Sequence, residues 1–162
     1  MKQAGLSTAQ DVEDTDIQSL KVTPAGSAAN KISFKYNGLS YSLSAPAQVK
    51  ATLEDGRIYF ATPRRGKNIL FLEVPGTKSK TFYASILKTY GEGHVLKPQK
   101  ATDVKLGANS VRVLRKAALN KAANNYFFKQ NSSFVISYIA DSKDDIYFDT
   151  LAKSLITSFK AD

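Results

Sequence analysis

Apolar positions begin to recur with a two-residue period at Lys31. Ile32, Phe34 and Tyr36 alternate with polar residues, and after Asn37-Gly38 the alternation resumes at Leu39, Tyr41 and Leu43. Period two is the spacing of a strand with one buried face. An Asn-Gly pair between two such runs predicts a hairpin with a type I′ turn, because both turn residues need positive φ. Pro46 ends the second strand. Val49, Ala51 and Leu53 make a third run, and Asp55-Gly56 turns into Ile58–Ala61. After the loop Pro63-Arg64-Arg65-Gly66-Lys67 comes Ile69–Val74, apolar throughout except at Glu73.

Pro75-Gly76 breaks the sheet, and the period then lengthens. From Thr81 to Tyr90, the residues Phe82, Tyr83, Ile86, Leu87 and Tyr90 share one face of a helix, which Gly91 and Gly93 end. Short runs at Val104–Leu106, Val111–Val113, Tyr126–Phe128 and Phe134–Ile139 predict an antiparallel meander. The last strand stops at Asp141-Ser142-Lys143-Asp144-Asp145. Asp141 or Ser142 is expected to cap a helix, with Asp144 and Asp145 in its first turn, where the dipole favours negative charge. Phe148, Leu151, Leu155 and Phe159 form its apolar stripe, with Ala152 and Ile156 beside it.

The order predicts an α+β domain, with an antiparallel sheet flanked by a central and a C-terminal helix. Residues 1–30 have weak periodicity, and Pro24–Ala29 reads as a linker. A short helix is conceivable over Leu6–Leu20. The expected organisation is a flexible N-terminal tail or tether over 1–30 and a single α+β domain over 31–162.

Two segments carry a resemblance. The opening Gly38-Leu39-Ser40-Tyr41-Ser42-Leu43-Ser44-Ala45-Pro46 is one. The ending Phe134-Val135-Ile136-Ser137-Tyr138 with Leu151-x-x-x-Leu155-x-x-Ser158-Phe159 is the other. Together with the central helix, they resemble the PsbP-like fold family over roughly residues 31–160. That family includes the extrinsic photosystem II subunit, the DcrB-like bacterial lipoproteins and the Ran-binding Mog-like proteins. Its tryptophan after the opening strand has no counterpart here. The resemblance implies a small accessory or binding module, often exported and lipid-anchored in bacteria, and carries over no catalytic residue.

Charge sharpens this picture. Residues 31–140 hold 18 Lys and Arg against five acids, or +13, whereas 1–30 and 141–162 are each −2. Such a basic body suits an acidic protein face, anionic lipid or nucleic acid, or serves solubility alone. Arg64, Arg65 and Lys67 form the densest basic loop. Arg112, Arg115, Lys116 and Lys121 form a second basic region. If both face one way, they make an anion- or partner-binding surface. Tyr59, Tyr126 and nearby Phe residues could then stack single-stranded bases. Phe127 and Phe128 point to opposite faces of a strand, so one of them is a candidate for exposure or for cover by a helix.

Other chemistry finds little footing. The chain has no cysteine, which removes disulfides, thiolate metal sites and cysteine nucleophiles. His94 is the only histidine and lies in a Gly-rich loop. Asp141, Asp144, Asp145 and Asp149 could hold a hard cation but lack the EF-hand spacing. No Gly-rich phosphate motif occurs. Neither a cofactor nor a metal is expected, and the chain is not expected to be an enzyme. No apolar run reaches membrane-spanning length. The start of the chain lacks an apolar leader, which fits a cytosolic protein or a mature exported form. The leading expectation is a non-enzymatic accessory or binding module of the cell envelope. It would be periplasmic or extracytoplasmic, membrane-tethered, and would bind a protein or envelope component. The alternative is a cytosolic nucleic-acid-binding domain that uses the basic surface.

Overall fold

The structure is a computed structural model that describes residues 16–162. Among the described residues, twelve strands make two antiparallel sheets. The smaller has the order β1 (Gln18–Pro24), β2 (Ala29–Tyr36), β3 (Leu39–Pro46) and β12 (Lys160–Ala161). The larger runs β4 (Lys50–Glu54), β5 (Arg57–Ala61), β6 (Ile69–Glu73), β11 (Ser132–Asp141), β10 (Lys121–Gln130), β9 (Asn109–Ala117) and β7 (Lys97–Pro98). β8 (Thr102–Leu106) also pairs with β9. Helix α1 (Thr77–Tyr90) follows β6. A 3₁₀ turn at Ser142–Asp144 leads from β11 into α2 (Asp145–Thr157). The α+β class and the two helices agree with the sequence reading. The single expected sheet is two.

Local chemistry explains the turns. Asn37 and Gly38 both have positive φ, 52° and 77°, as a type I′ turn requires, and β2 pairs with β3 from Tyr36–Leu39 outward. Helix α1 begins one turn earlier than expected. Thr77-Lys78-Ser79-Lys80 has no apolar residue to reveal it, but the Ser79 hydroxyl accepts a hydrogen bond from the Gly76 N–H at 2.7 Å and fixes the start.

The expected tail over 1–30 needs correction from Ile17 onward. Ile17 is buried, residues 18–24 form the edge strand β1, and the linker-like Pro24–Ala29 is its hairpin turn to β2. Apart from Leu20, β1 is exposed, so it has no inward stripe for periodicity to detect; backbone pairing holds it. Of the possible helix over Leu6–Leu20, residues 6–15 lie outside the described residues and Gln18–Leu20 are strand.

The larger sheet separates two apolar clusters. One face meets the smaller sheet and α2 around Phe34, Tyr41, Phe128, Phe134, Phe148 and Phe159. Phe159 packs its ring against Phe34, Tyr41, Phe128 and Phe134 at centroid separations of 4.7–5.9 Å. The other, outer face meets α1 through Phe71, Ile86, Ala123 and Ile139, with Phe82, Tyr83, Leu87 and Tyr90 beside them. Asn109 closes the far end of α2: its side-chain amide donates to the carbonyls of Ile156 and Phe159 at 2.8 and 3.1 Å.

Candidate partner-binding site

The aspartates after β11 are each committed to a cation. Asp141 meets Lys121 at 2.6 Å, Asp144 meets Arg64 at 3.6 Å, and Asp149 meets Lys153 at 3.1 Å. Asp145 takes both arms of the Arg115 guanidinium at 2.6 and 3.1 Å. Neither Asp141 nor Ser142 caps the helix as expected. Asp144 occupies the N-cap of α2 without a side-chain cap bond, and the Asp141 carboxylate turns to Lys121 instead. Among the described residues, no group of His, Cys, Asp and Glu has the clustering a metal ion needs.

Behind this turn lies a polar network at the floor of a cleft of about 350 Å³ between α2 and β8–β9. Tyr138 donates to Asp145 and Tyr126 to Asp149, while the Asn124 amide donates to both tyrosine oxygens at 3.0 and 2.9 Å. Burial pushes both phenols far above their usual value, and the neighbouring aspartates push them further. They therefore stay protonated and act as neutral hydrogen-bond donors. Burial disfavours the Asp145 charge, yet Arg115 and the Tyr138 hydroxyl outweigh it and hold the carboxyl below its usual range. The network fastens α2 to the sheet.

The seven cations singled out by sequence do not form one free surface. Arg112 and Arg115 differ by an odd number of residues along β9 and face opposite sides of the sheet. Arg115 is held by Asp145. Lys121 is 2% exposed and lies between Asp141 and Glu92. Burial disfavours its charge, but the two carboxylates raise its pKa overall. Arg112 pairs across the strands with Asp103 at 3.1 Å, and the Lys116 ammonium lies 5.5 Å from the Tyr83 ring centre. Arg64 lies over Tyr147 at 4.4 Å. Of these seven, only Arg65 and Lys67 are exposed with no ion pair among the described residues. His94 is exposed in the loop after α1, and among the described residues its ring makes no hydrogen bond.

A different basic surface lies on the outer face, beside the start of α1. Here β8, β9, β10 and β11 carry a groove of about 650 Å³, with Phe127 in its floor and Pro75 and Ser133 in its walls. Lys105, Arg112 and Lys129 line it against one acid, Asp103. It continues beneath α1 as a cavity of about 120 Å³ lined by Lys80, Tyr83, Asn125 and Ser137. Lys80, Lys105 and Lys129 make no ion pair among the described residues. Sequence reasoning missed these three because they are scattered singly along the chain. The signal available was the Phe127/Phe128 alternation: Phe128 is core, and Phe127 is the half-exposed one.

No protein-family model matches the chain, and no curated protein does. Among solved structures, cyanobacterial PsbP from Synechocystis sp. PCC 6803 is similar with a TM-score of 0.49 at 12% identity, over 86% of this chain and 98% of that one. LpqN, described as involved in cell envelope biogenesis of Mycobacterium tuberculosis, is similar with a TM-score of 0.42 at 13% identity, over 94% and 95%. The likeness to each is one of overall structure at low identity. It assigns no partner, site or activity.

Proposed function

We propose that this chain is a non-enzymatic accessory module of the cell envelope that binds an acidic protein segment in the groove beside α1. The observation that carries the reading is the groove itself. Three lysines without an ion pair among the described residues surround a half-exposed phenylalanine, and the two acids of the lining, Asp103 and Glu73, are already paired with Arg112 and Arg57. Phe127 offers an apolar anchor, and the surrounding ammonium groups select for carboxylates. Beneath α1 the Asn125 amide donates to the Ser137 hydroxyl at 2.8 Å, and the remaining hydrogen-bonding capacity of these groups can meet a peptide backbone. No step of chemistry is assigned, which accords with an exposed, unpartnered His94 and with tyrosines that keep their protons. The envelope setting is part of the proposal and is tested by fractionating source cells.

The binding test is fluorescence anisotropy with a labelled Asp/Glu-rich peptide containing interspersed leucines, and with labelled single-stranded DNA, each at low and moderate salt. The peptide should saturate at low salt, and Lys105→Glu/Lys129→Glu should weaken it by roughly tenfold or more. Phe127→Ala should weaken it at both salt concentrations. Absence of peptide binding at low salt overturns the reading. So does tighter binding of the DNA, which would put the nucleic-acid alternative in its place.

A further inference from the structure

Three large aliphatic side chains are almost fully exposed: Val95 at 79%, Leu119 at 89% and Ile146 at 80%. Taken singly, such residues need no explanation. These three, however, lie at the same end of the larger sheet, opposite the groove. Lys97 pairs with Ala117, so Val95, two residues before this pair, and Leu119, two residues after it, leave the sheet at the same end. Leu119 occupies the β9–β10 turn, which the Ala118 N–H closes onto the Lys121 carbonyl at 2.9 Å. The Ser142 N–H donates to the neighbouring Asn120 carbonyl at 3.0 Å, tying this turn to the segment that starts α2. Ile146 lies in the first turn of that helix and lines a cleft together with Gln99 and Lys100. Two loops and the first turn of α2 thus present one aliphatic each.

The charge around them is one-sided. The acids at this end, Glu92, Asp141, Asp144 and Asp145, are all taken up by Lys121, Arg64 and Arg115. Arg65, Lys67, Lys97, Lys100 and Lys143 are exposed and make no ion pair among the described residues. A protein partner would be met by a contiguous apolar patch. Separate aliphatic tips surrounded by long, free cations instead suit a soft surface whose headgroups part around each tip. The complementary charge is negative and extended, as on a leaflet rich in anionic lipid.

We propose that this end of the molecule docks on an anionic lipid surface. Val95, Leu119 and Ile146 enter the boundary between headgroups and acyl chains, and the free cations engage lipid phosphates. The groove beside α1 then faces away from the membrane. This docking is independent of the groove's occupant.

The chain has no tryptophan, so Leu119→Trp supplies a single reporter on the docking end. The test mixes this variant with phosphatidylcholine vesicles, and with vesicles that also contain phosphatidylglycerol. Its emission should shift to the blue only with the mixed vesicles. The full chain should cosediment with the same vesicles, and Val95→Ser/Leu119→Ser/Ile146→Ser should lose that binding by roughly tenfold or more. Lys97→Glu/Lys100→Glu should do likewise, whereas Lys105→Glu/Lys129→Glu in the groove should bind as the parent does. All the substituted side chains are exposed, and an unchanged circular dichroism spectrum verifies the fold. No blue shift, binding without preference for the anionic lipid, or undiminished binding of the triple serine variant overturns the proposal.

Discussion

Arg57 and Glu73 stand opposite each other on β5 and β6, beneath α1, with side chains only 6% and 5% exposed. The Arg57 Nε–H donates to the carboxylate at 2.8 Å, and its guanidinium stacks 3.6 Å from the Phe82 ring centre. Burial pushes the Glu73 carboxyl above its ordinary value, and Arg57 pulls it back. In Arg57→Met the pull is gone, and a carboxyl this buried takes up a proton rather than keep its charge. Holding a glutamate of ordinary pKa about 4.3 neutral at pH 7 spans about 2.7 units at about 1.36 kcal/mol each, or about 3.7 kcal/mol. That falls within the ~3–5 kcal/mol typical of breaking a buried pair.

The sign of the pH dependence follows. A carboxyl whose folded pKa is raised binds its proton more tightly in the native state, so stability falls as pH climbs from the unfolded pKa to the folded one. The cost of Arg57→Met should be about 3–4 kcal/mol at neutral pH and largely vanish near about pH 4.5. In a chain of this size, the neutral-pH loss is a fall of about 8–15 °C in Tm. Arg57→Met/Glu73→Leu removes both charges and should lie within about 1 kcal/mol of the parent. Urea unfolding followed by far-UV circular dichroism at the two pH values measures all three proteins. If the double variant is no more stable than Arg57→Met, or if Arg57→Met costs the same at both pH values, the pair is not the buried couple described.

Two further predictions rest on the contacts of α2. Gly107 has φ +61°, and a Cβ there would press on the Thr157 carbonyl oxygen, so Gly107→Ala should cost at least about 1–2 kcal/mol; Gly38→Ala, with open space around it, should cost less, and comparison of their Tm values separates clash from backbone strain. The depressed Asp145 carboxyl contributes stability that is full above its unfolded pKa of about 3.9 and is lost as pH falls through the lower folded value, so Asp145→Asn should be less stable than the parent at neutral pH, with the gap closing in acid; a constant gap in an acid titration would refute this.

Where side-chain periodicity was strong, the sequence was legible. The β2–β3 hairpin, the α1 face from Phe82 to Tyr90 and the α2 stripe all sit as their spacing requires, because each buries a regular stripe. Three elements were hidden for one shared reason: backbone hydrogen bonds, not buried side chains, define them. β1 is a polar edge strand, β7 is two exposed residues paired to β9, and the first turn of α1 is Thr-Lys-Ser-Lys. The division into two sheets was hidden as well. β3 and β4 are consecutive in the chain, and nothing in their alternation says that the chain changes sheets at Pro46.

The binding surfaces were less legible, for a reason that lies in pairing rather than in pattern. Local density of Lys and Arg pointed to Arg115 and Lys121, yet these are the cations the acidic segment needs. Asp145 and Asp141 draw them in from β9 and β10, and both become fastenings for α2 and the β9–β10 turn. A sequence shows how many charges a stretch carries, but not which are neutralised by acids tens of residues away. Once those pairs are set aside, the positive excess on the larger sheet and its helices includes Lys80, Lys105 and Lys129 at one end of that sheet. At the other end it lies on Arg65, Lys67, Lys97, Lys100 and Lys143. The acidic turn therefore creates no site of its own. By consuming the cations nearest to it, it determines which of the rest remain free to meet a partner or a membrane.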